Sequence, residues 1–184
     1  GVSQFSPIVI SSVMATVISR HFLDDVLAFA VPEYALKSAW ELPGYAVLGL
    51  LAGIVALAFI KILYGFEDLF EKIPLRPWLL APLGGILVGL MGARFPEILG
   101  VGYEAIDEAL HGRLAVQLLL GLILVKLLAT SLTIGSGGSG GVFAPSLFLG
   151  ACLGGAFGML AELIFPGQTS GSGAYALVGM GAVV

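Results

Sequence analysis

Charge is scarce in this 184-residue sequence: Asp, Glu, Lys and Arg make up 11% of it, against about 25% in an ordinary soluble domain. That shortage leaves too few polar side chains to clothe a water-facing surface, which excludes a soluble globular domain. Positive charge is scarcer still. Eight Lys and Arg residues are scattered through a chain of net charge −4, so no basic stripe tracks phosphates and nucleic acid is excluded as a partner. The one cysteine, Cys152, sits inside an apolar run and has no intramolecular disulfide partner. It says nothing about redox compartment. Two histidines, His21 and His111, and the dispersed acids form no cluster with metal-ligand spacing. No metal, no cofactor and no enzymatic activity are expected.

An initiator methionine and a charged leader are also missing ahead of the first apolar run. The last run, residues 174–184, is about half the roughly 20 residues that a helix needs to cross a bilayer. Residues 1–184 are therefore expected to be one partial transmembrane domain, cut at both ends, with no separate soluble domain.

Hydrophobicity is what the sequence has: 58% of residues are apolar and the mean hydropathy is +1.05. A lipid bilayer is the solvent that suits this composition. The first apolar run, residues 7–19, opens with Ser6 as an N-cap and Pro7 at the first helical position. A polar connector follows, with Arg20, His21, Asp24, Asp25, Glu33 and Lys37, and Trp40 and Tyr45 near its end read as interfacial anchors. Residues 45–66 are long enough to span. Residues 67–76, with Pro74, read as a loop leading to Pro77, and residues 78–92 form a third, glycine-rich run. Residues 103–110 carry Glu104, Asp107 and Glu108 and are too few to cross, so they read as re-entrant or interfacial. Runs at 114–133 and 142–165 complete the pattern. The expected fold is an all-α, polytopic membrane bundle with broken or re-entrant helices. It has about five crossing or half-crossing segments and one shorter one.

Orientation is not set by charge: Arg20 and Lys37 flank one loop, Lys72 and Arg76 the next. Small residues recur at four-residue spacing in Gly49 with Gly53, Gly85 with Gly89, and Gly150, Gly154 and Gly158. Such faces imply close helix packing in lipid.

Chemistry concentrates in residues 135–141, five glycines and two serines between two long apolar runs. Each interior glycine costs a helix roughly 1 kcal/mol relative to alanine, so the chain breaks here. Non-helical backbone at membrane depth survives only where protein or a water-filled cavity surrounds it. A helix beginning near Gly141 or Val142 would aim its first free N–H groups, and the positive end of its dipole, into that loop. The result is an anion site without a basic side chain. Partial charges also bind an ion weakly enough to release it. The plain alternative is an extramembrane turn between two ordinary spans.

Two other motifs fit formally. Gly135, Gly137 and Gly140 match a dinucleotide fingerprint, but a membrane-length apolar run replaces the strand that motif needs. Gly137, Ser139 and Gly140 match the G-x-S-G pattern of rhomboid-type intramembrane serine proteases. That pattern wants a histidine on a later helix, whereas both histidines come earlier. An intramembrane hydrolase using Ser139, or a structural subunit with no permeant ligand, are the alternative functions.

The segment from Gly135 to Leu147, GSGGSGGVFAPSL, resembles the G-x-F-x-P segment of the CLC family of chloride channels and chloride/proton antiporters. The match continues through FLGACLGGAFG to Gly158, and Gly102, Tyr103, Lys126 and Thr130 stand where bacterial members commonly have such residues. The resemblance implies a homodimer in the bilayer, with one anion pathway per subunit built from two inverted halves. It places this chain from the end of the first half through most of the second. It further implies that the backbone N–H groups of Val142 and Phe143 contact a central chloride, with Gly140, Gly141, Ala144 and Pro145 shaping the site. Chloride, and in antiporters protons, would be the transported ligands, and the inner membrane of a prokaryote the expected location. The resemblance sets the family's filter and proton-linked glutamate segments before Gly1 and its anion-capping tyrosine after Val184. Channel and antiporter remain undecided.

Lys126, two turns before the glycine loop, could add positive potential to the pathway, reach an interface, or pair with a carboxylate. Glu162 and Lys61 read as residues reaching a headgroup region, and Glu104, Asp107 and Glu108 as a solvated face.

Overall fold

The computed structural model describes residues 2–23, 31–32, 34, 36–39 and 41–184. They fall into two compact units, residues 1–30 and 31–184. Asp24, Asp25, Glu33 and Trp40 lie outside the described residues.

The first unit contains one helix, α1 (Val2–Leu23). It begins before the expected start at Pro7, which sits inside the helix. Proline there removes a single backbone bond to the carbonyl four residues back, and the apolar run carries the helix across it. Arg20 and His21 occupy the last turn, where positive charge suits the negative end of the dipole.

The second unit is built from helices throughout its described residues. Helix α2 (Glu41–Glu71) runs for 31 residues, well past the expected stop at residue 66. Glu67, Asp68 and Glu71 are compatible with helix. The chain turns only at Lys72 and Ile73, whose amides bond back to Leu69 and Phe70 at 3.3 and 3.2 Å, just before Pro74 forbids continuation. Helix α3 (Pro77–Arg94) starts with proline at its first position and carries Pro82 inside. A 3-10 turn (Pro96–Ile98) and residues 99–102 connect it to α4 (Tyr103–Leu110). Helices α5 (Val116–Gly135), α6 (Phe143–Ile164) and α7 (Ser172–Val183) follow.

Helices α2, α5 and α6 are long and apolar enough to cross a membrane, and α3 and α7 are shorter apolar helices. The core lies where α4, α5, α6 and α7 meet. Ile106, Leu119, Leu122, Phe148, Leu149, Cys152 and Tyr175 are fully or almost fully buried there. The outer faces of α2 and α3 instead present Leu50, Ile54, Leu57, Ile86 and Leu90, an arrangement suited to lipid. Helix α4 does not lie bare at a surface: Ala105, Ile106, Ala109 and Leu110 are buried, packed against α6 and α7.

The closest packing is between α6 and α7. Gly150, Gly154 and Gly158 lie against the α7 backbone, so that a Cβ on Gly150 would run into Gly179 and one on Gly154 into Tyr175. The other two glycine pairs behave differently. Gly49, Gly53, Gly85 and Gly89 face open space in this chain, so the packing expected of them is not made among the described residues.

Candidate functional site: the start of helix α6

Helix α5 ends in a Schellman motif. Gly137 takes the left-handed conformation (φ +86°), its amide bonds Ile134 O at 2.9 Å, and the amide of Gly138 reaches Thr133 O at 2.9 Å. Glycine is needed at 137 because side chains disfavour that φ. Those bonds satisfy the last carbonyls of α5 and leave the following chain without partners. From Ser139 to Ala144, six successive backbone N–H groups have no acceptor among the described residues. Pro145 has no N–H, and only at Ser146 does regular bonding begin, its amide and hydroxyl reaching Val142 O at 3.0 and 2.8 Å.

These free donors sit at the positive end of a 22-residue helix. The arrangement can hold an anion by backbone dipoles alone. Val142 is the N-cap of α6, with φ −95° and ψ −23°, and no side chain caps it. The side chains of Val142 and Phe143 are exposed, while Pro145 is buried.

A cavity of about 320 Å³ adjoins this helix start. Its walls are residues 98–101 of the connector, Lys126, Ala129, Thr130, Thr133 and Ile134 of α5, Ser139, Gly140 and Gly141 of the loop, Ala144 and Pro145 of α6, and Val88 of α3. Gly140, Gly141, Ala144 and Pro145 are thus brought together around it. Val142 and Phe143 are not among its lining residues.

Lys126 takes none of the three environments weighed for it from sequence in full. Its side chain is buried, and its ammonium donates to Ile98 O and Gly100 O at 2.8 Å each and to Val101 O at 3.4 Å. It also stands 4.9 Å from the centre of the Phe148 ring on α6. No carboxylate pairs with it among the described residues, and it does not reach outward. Its positive charge nevertheless stays on the cavity wall.

A family model described as voltage gated chloride channel matches residues 1–184. The chain belongs to that family. As a CLC-family chain it is 40% identical over 192 residues to the chloride channel protein CLC-f of Arabidopsis thaliana, covering 96% of this chain and 25% of that protein. It is 35% identical over 182 residues to the putative chloride channel protein ClcB-like of Ralstonia nicotianae (99% and 42%). It is 33% identical over 177 residues to the H(+)/Cl(−) exchange transporter ClcA of Salmonella arizonae (94% and 37%). The chain therefore spans about a quarter to two-fifths of the length of these curated relatives.

Sequence reasoning overlooked one polar cluster. Glu41, at the first turn of α2, is buried and accepts hydrogen bonds from Tyr45 Oη at 3.0 Å, from Ser170 Oγ at 2.9 and 2.7 Å, and from the Lys37 amide at 3.3 Å. The only signal available was an acid opening an apolar run, which looks like ordinary helix-dipole complementarity. Near the opposite end of α4 from Gly102, Tyr34 donates to Leu110 O at 2.7 Å, and burial, then the Asp107 charge, raises its pKa. Of the three acids expected on a solvated face, Glu104 is exposed while Asp107 and Glu108 are half-buried. Asp107 pairs with His111 at 3.4 Å. Glu162 and Lys61 are exposed, as a headgroup-facing role would require.

Proposed function

We propose that this chain supplies part of a transmembrane chloride pathway, in which the backbone N–H groups of Val142 and Phe143 bind the ion. Gly140, Gly141, Ala144 and Pro145 shape the surroundings. The observation that carries the reading is the run of six amides, residues 139–144, without an acceptor among the described residues at the positive end of α6. Such donors at the positive end of a helix have room for an acceptor, and a small anion supplies one. A permanent ammonium in direct contact would hold the ion more tightly, whereas amides allow it to leave. The intact protein works as a homodimer in a lipid bilayer on this reading, in the inner membrane of a prokaryote. An intramembrane hydrolase using Ser139 gains no support, since the family matched over residues 1–184 is one of chloride channels.

Relatives carry both kinds of name, chloride channel and H(+)/Cl(−) exchange transporter, and both mechanisms fit an amide-lined ion site. Amide-to-ester substitution at Val142 and at Phe143 in the intact protein tests the donors. Each is expected to weaken chloride binding about tenfold, the effect of losing one hydrogen bond to a charged partner. Unchanged affinity in both removes these amides from the pathway. Following chloride efflux and pH together in proteoliposomes then separates a channel from a proton-coupled exchanger.

A further inference from the structure

Glu41 is 2% exposed, and the donors that hold its carboxylate are neutral: the Tyr45 hydroxyl at 3.0 Å, the Ser170 hydroxyl at 2.9 and 2.7 Å, and the Lys37 amide at 3.3 Å. The titratable side chains facing it are Tyr45 on α2 and Tyr175 on α7, phenols without charge at neutral pH. Helix α6 adds only the Phe157 ring, against Tyr175. An ionised carboxylate accepts from all these donors at once. Once protonated it becomes a donor itself and a poorer acceptor, so the hold weakens.

The turn it holds carries a second polar group that the closed arrangement leaves unsatisfied. Thr169 is 4% exposed, and its hydroxyl has no hydrogen-bond partner among the described residues. Opening the turn to water would satisfy it. The closed turn is therefore held by the carboxylate at the expense of one of its own groups.

Helix α7 carries the consequence further. It runs antiparallel to α6, with Ser172 against Gly158, Tyr175 against Gly154 and Gly179 against Gly150. One more turn in the same sense brings Val183 to the level of Ser146, in the first turn of α6. The end of α7 nearest Glu41 and the end nearest the anion-binding tip thus belong to one short helix.

We propose that Glu41 and Ser170 form an acid-released latch, in which protonation of Glu41 frees the turn between α6 and α7 from α2. Release loosens α7 and, through it, the surroundings of the α6 start. In that last consequence the inference rests on the chloride-pathway reading; the latch itself does not.

The test follows hydrogen exchange of the intact protein through a pH series from neutral to about pH 4, near the ordinary glutamate value, with rates corrected for the intrinsic effect of pH. Amides of residues 168–175 should lose protection about tenfold on acidification, while those in the middle of α5 keep theirs. Glu41→Gln, shaped like the protonated carboxyl, should show the low protection at every pH. Ser170→Ala and Tyr45→Phe each remove one donor to the anion. Each should move the midpoint of release upward by about one pH unit, the equivalent of a tenfold weaker hold. A merely structural contact would lower protection without moving the midpoint. If Glu41→Gln fails to fold, the two hydroxyl variants still decide. Wild-type protection that ignores pH, or a midpoint unmoved in both hydroxyl variants, overturns the latch. Chloride efflux from liposomes by Glu41→Gln should be several-fold slower than wild type at neutral pH. Efflux at the wild-type rate, with the exchange pattern as expected, overturns the coupling to the α6 start and leaves the latch. No chloride efflux from the wild type overturns the pathway reading and leaves the exchange result standing.

Discussion

Ser170, in the turn between α6 and α7, places its hydroxyl 2.9 and 2.7 Å from the two carboxylate oxygens of Glu41, 129 residues earlier in the chain. The bond ties the first turn of α2 to the far end of the closely packed α6–α7 pair. Tyr45, one turn into α2, donates to the same carboxylate at 3.0 Å, and its ring lies 4.6 Å from that of Tyr175 on α7. Two helices that share few sequence-local contacts are thereby joined through one buried charge.

Ser170→Ala is expected to destabilise the protein by about 1–3 kcal/mol, because a buried carboxylate loses one of its hydroxyl donors. Tyr45→Phe should cost a similar amount. The double variant should cost less than the sum, since both serve one acceptor. Thermal unfolding in detergent measures all three. Stability unchanged in Ser170→Ala would mean that water reaches Glu41 and that the latch contributes nothing.

The packing of α6 on α7 predicts an asymmetry among the glycines. Gly154→Ala would thrust a methyl group into the backbone of Tyr175 and Ala176. Close-packed helices do not absorb such a volume, and a loss of about 1–3 kcal/mol is expected. Gly85→Ala, where nothing lies within 4 Å, should leave stability unchanged or raise it by up to about 1 kcal/mol through helix propensity. The same unfolding measurement compares them. A Gly85→Ala variant as damaged as Gly154→Ala would show that α3 packs against something other than the described residues.

Much of this architecture was legible in the sequence because lipid imposes simple rules. Apolar length marked α2, α5 and α6, and the density of glycine marked the break between residues 135 and 143. The unpartnered amides followed from that break alone. Boundaries were less legible. Helix α2 continues through Glu67 and Asp68 because acids do not stop a helix, whereas Pro74 does. The small-residue spacing of Gly85 and Gly89 matched that of Gly150 and Gly154, yet only the latter pair finds a helix beside it in this chain. The partners of Lys126 were invisible for a different reason. They are carbonyls 25 to 28 residues earlier, and every residue type has a carbonyl. What brings them within reach is backbone shape: the 3-10 turn at Pro96–Ile98 and left-handed Gly100 and Gly102 (φ +60° and +84°) curl the connector around the ammonium.

That geometry makes the connector depend on Lys126. Gly102 caps the start of α4, and a Cβ there would press on the Phe148 ring at 2.6 Å, so the connector, α4 and α6 meet at one crowded point. Lys126→Met keeps the length of the side chain but leaves the carbonyls of Ile98, Gly100 and Val101 without the ammonium that donates to them. A loss of about 2–4 kcal/mol is expected, the range for orphaned buried acceptors of a charged donor. Because the loss is local, it should appear first as local opening. Hydrogen exchange of the amides at residues 98–102 should accelerate at least tenfold, while the α6–α7 amides exchange at the wild-type rate. Lys126→Arg should keep exchange near the wild-type rate, since a guanidinium offers enough donors for the same carbonyls. Uniform acceleration across α6 and α7 would instead mean that Lys126 supports the whole bundle, and unchanged exchange would mean that water replaces the ammonium without cost.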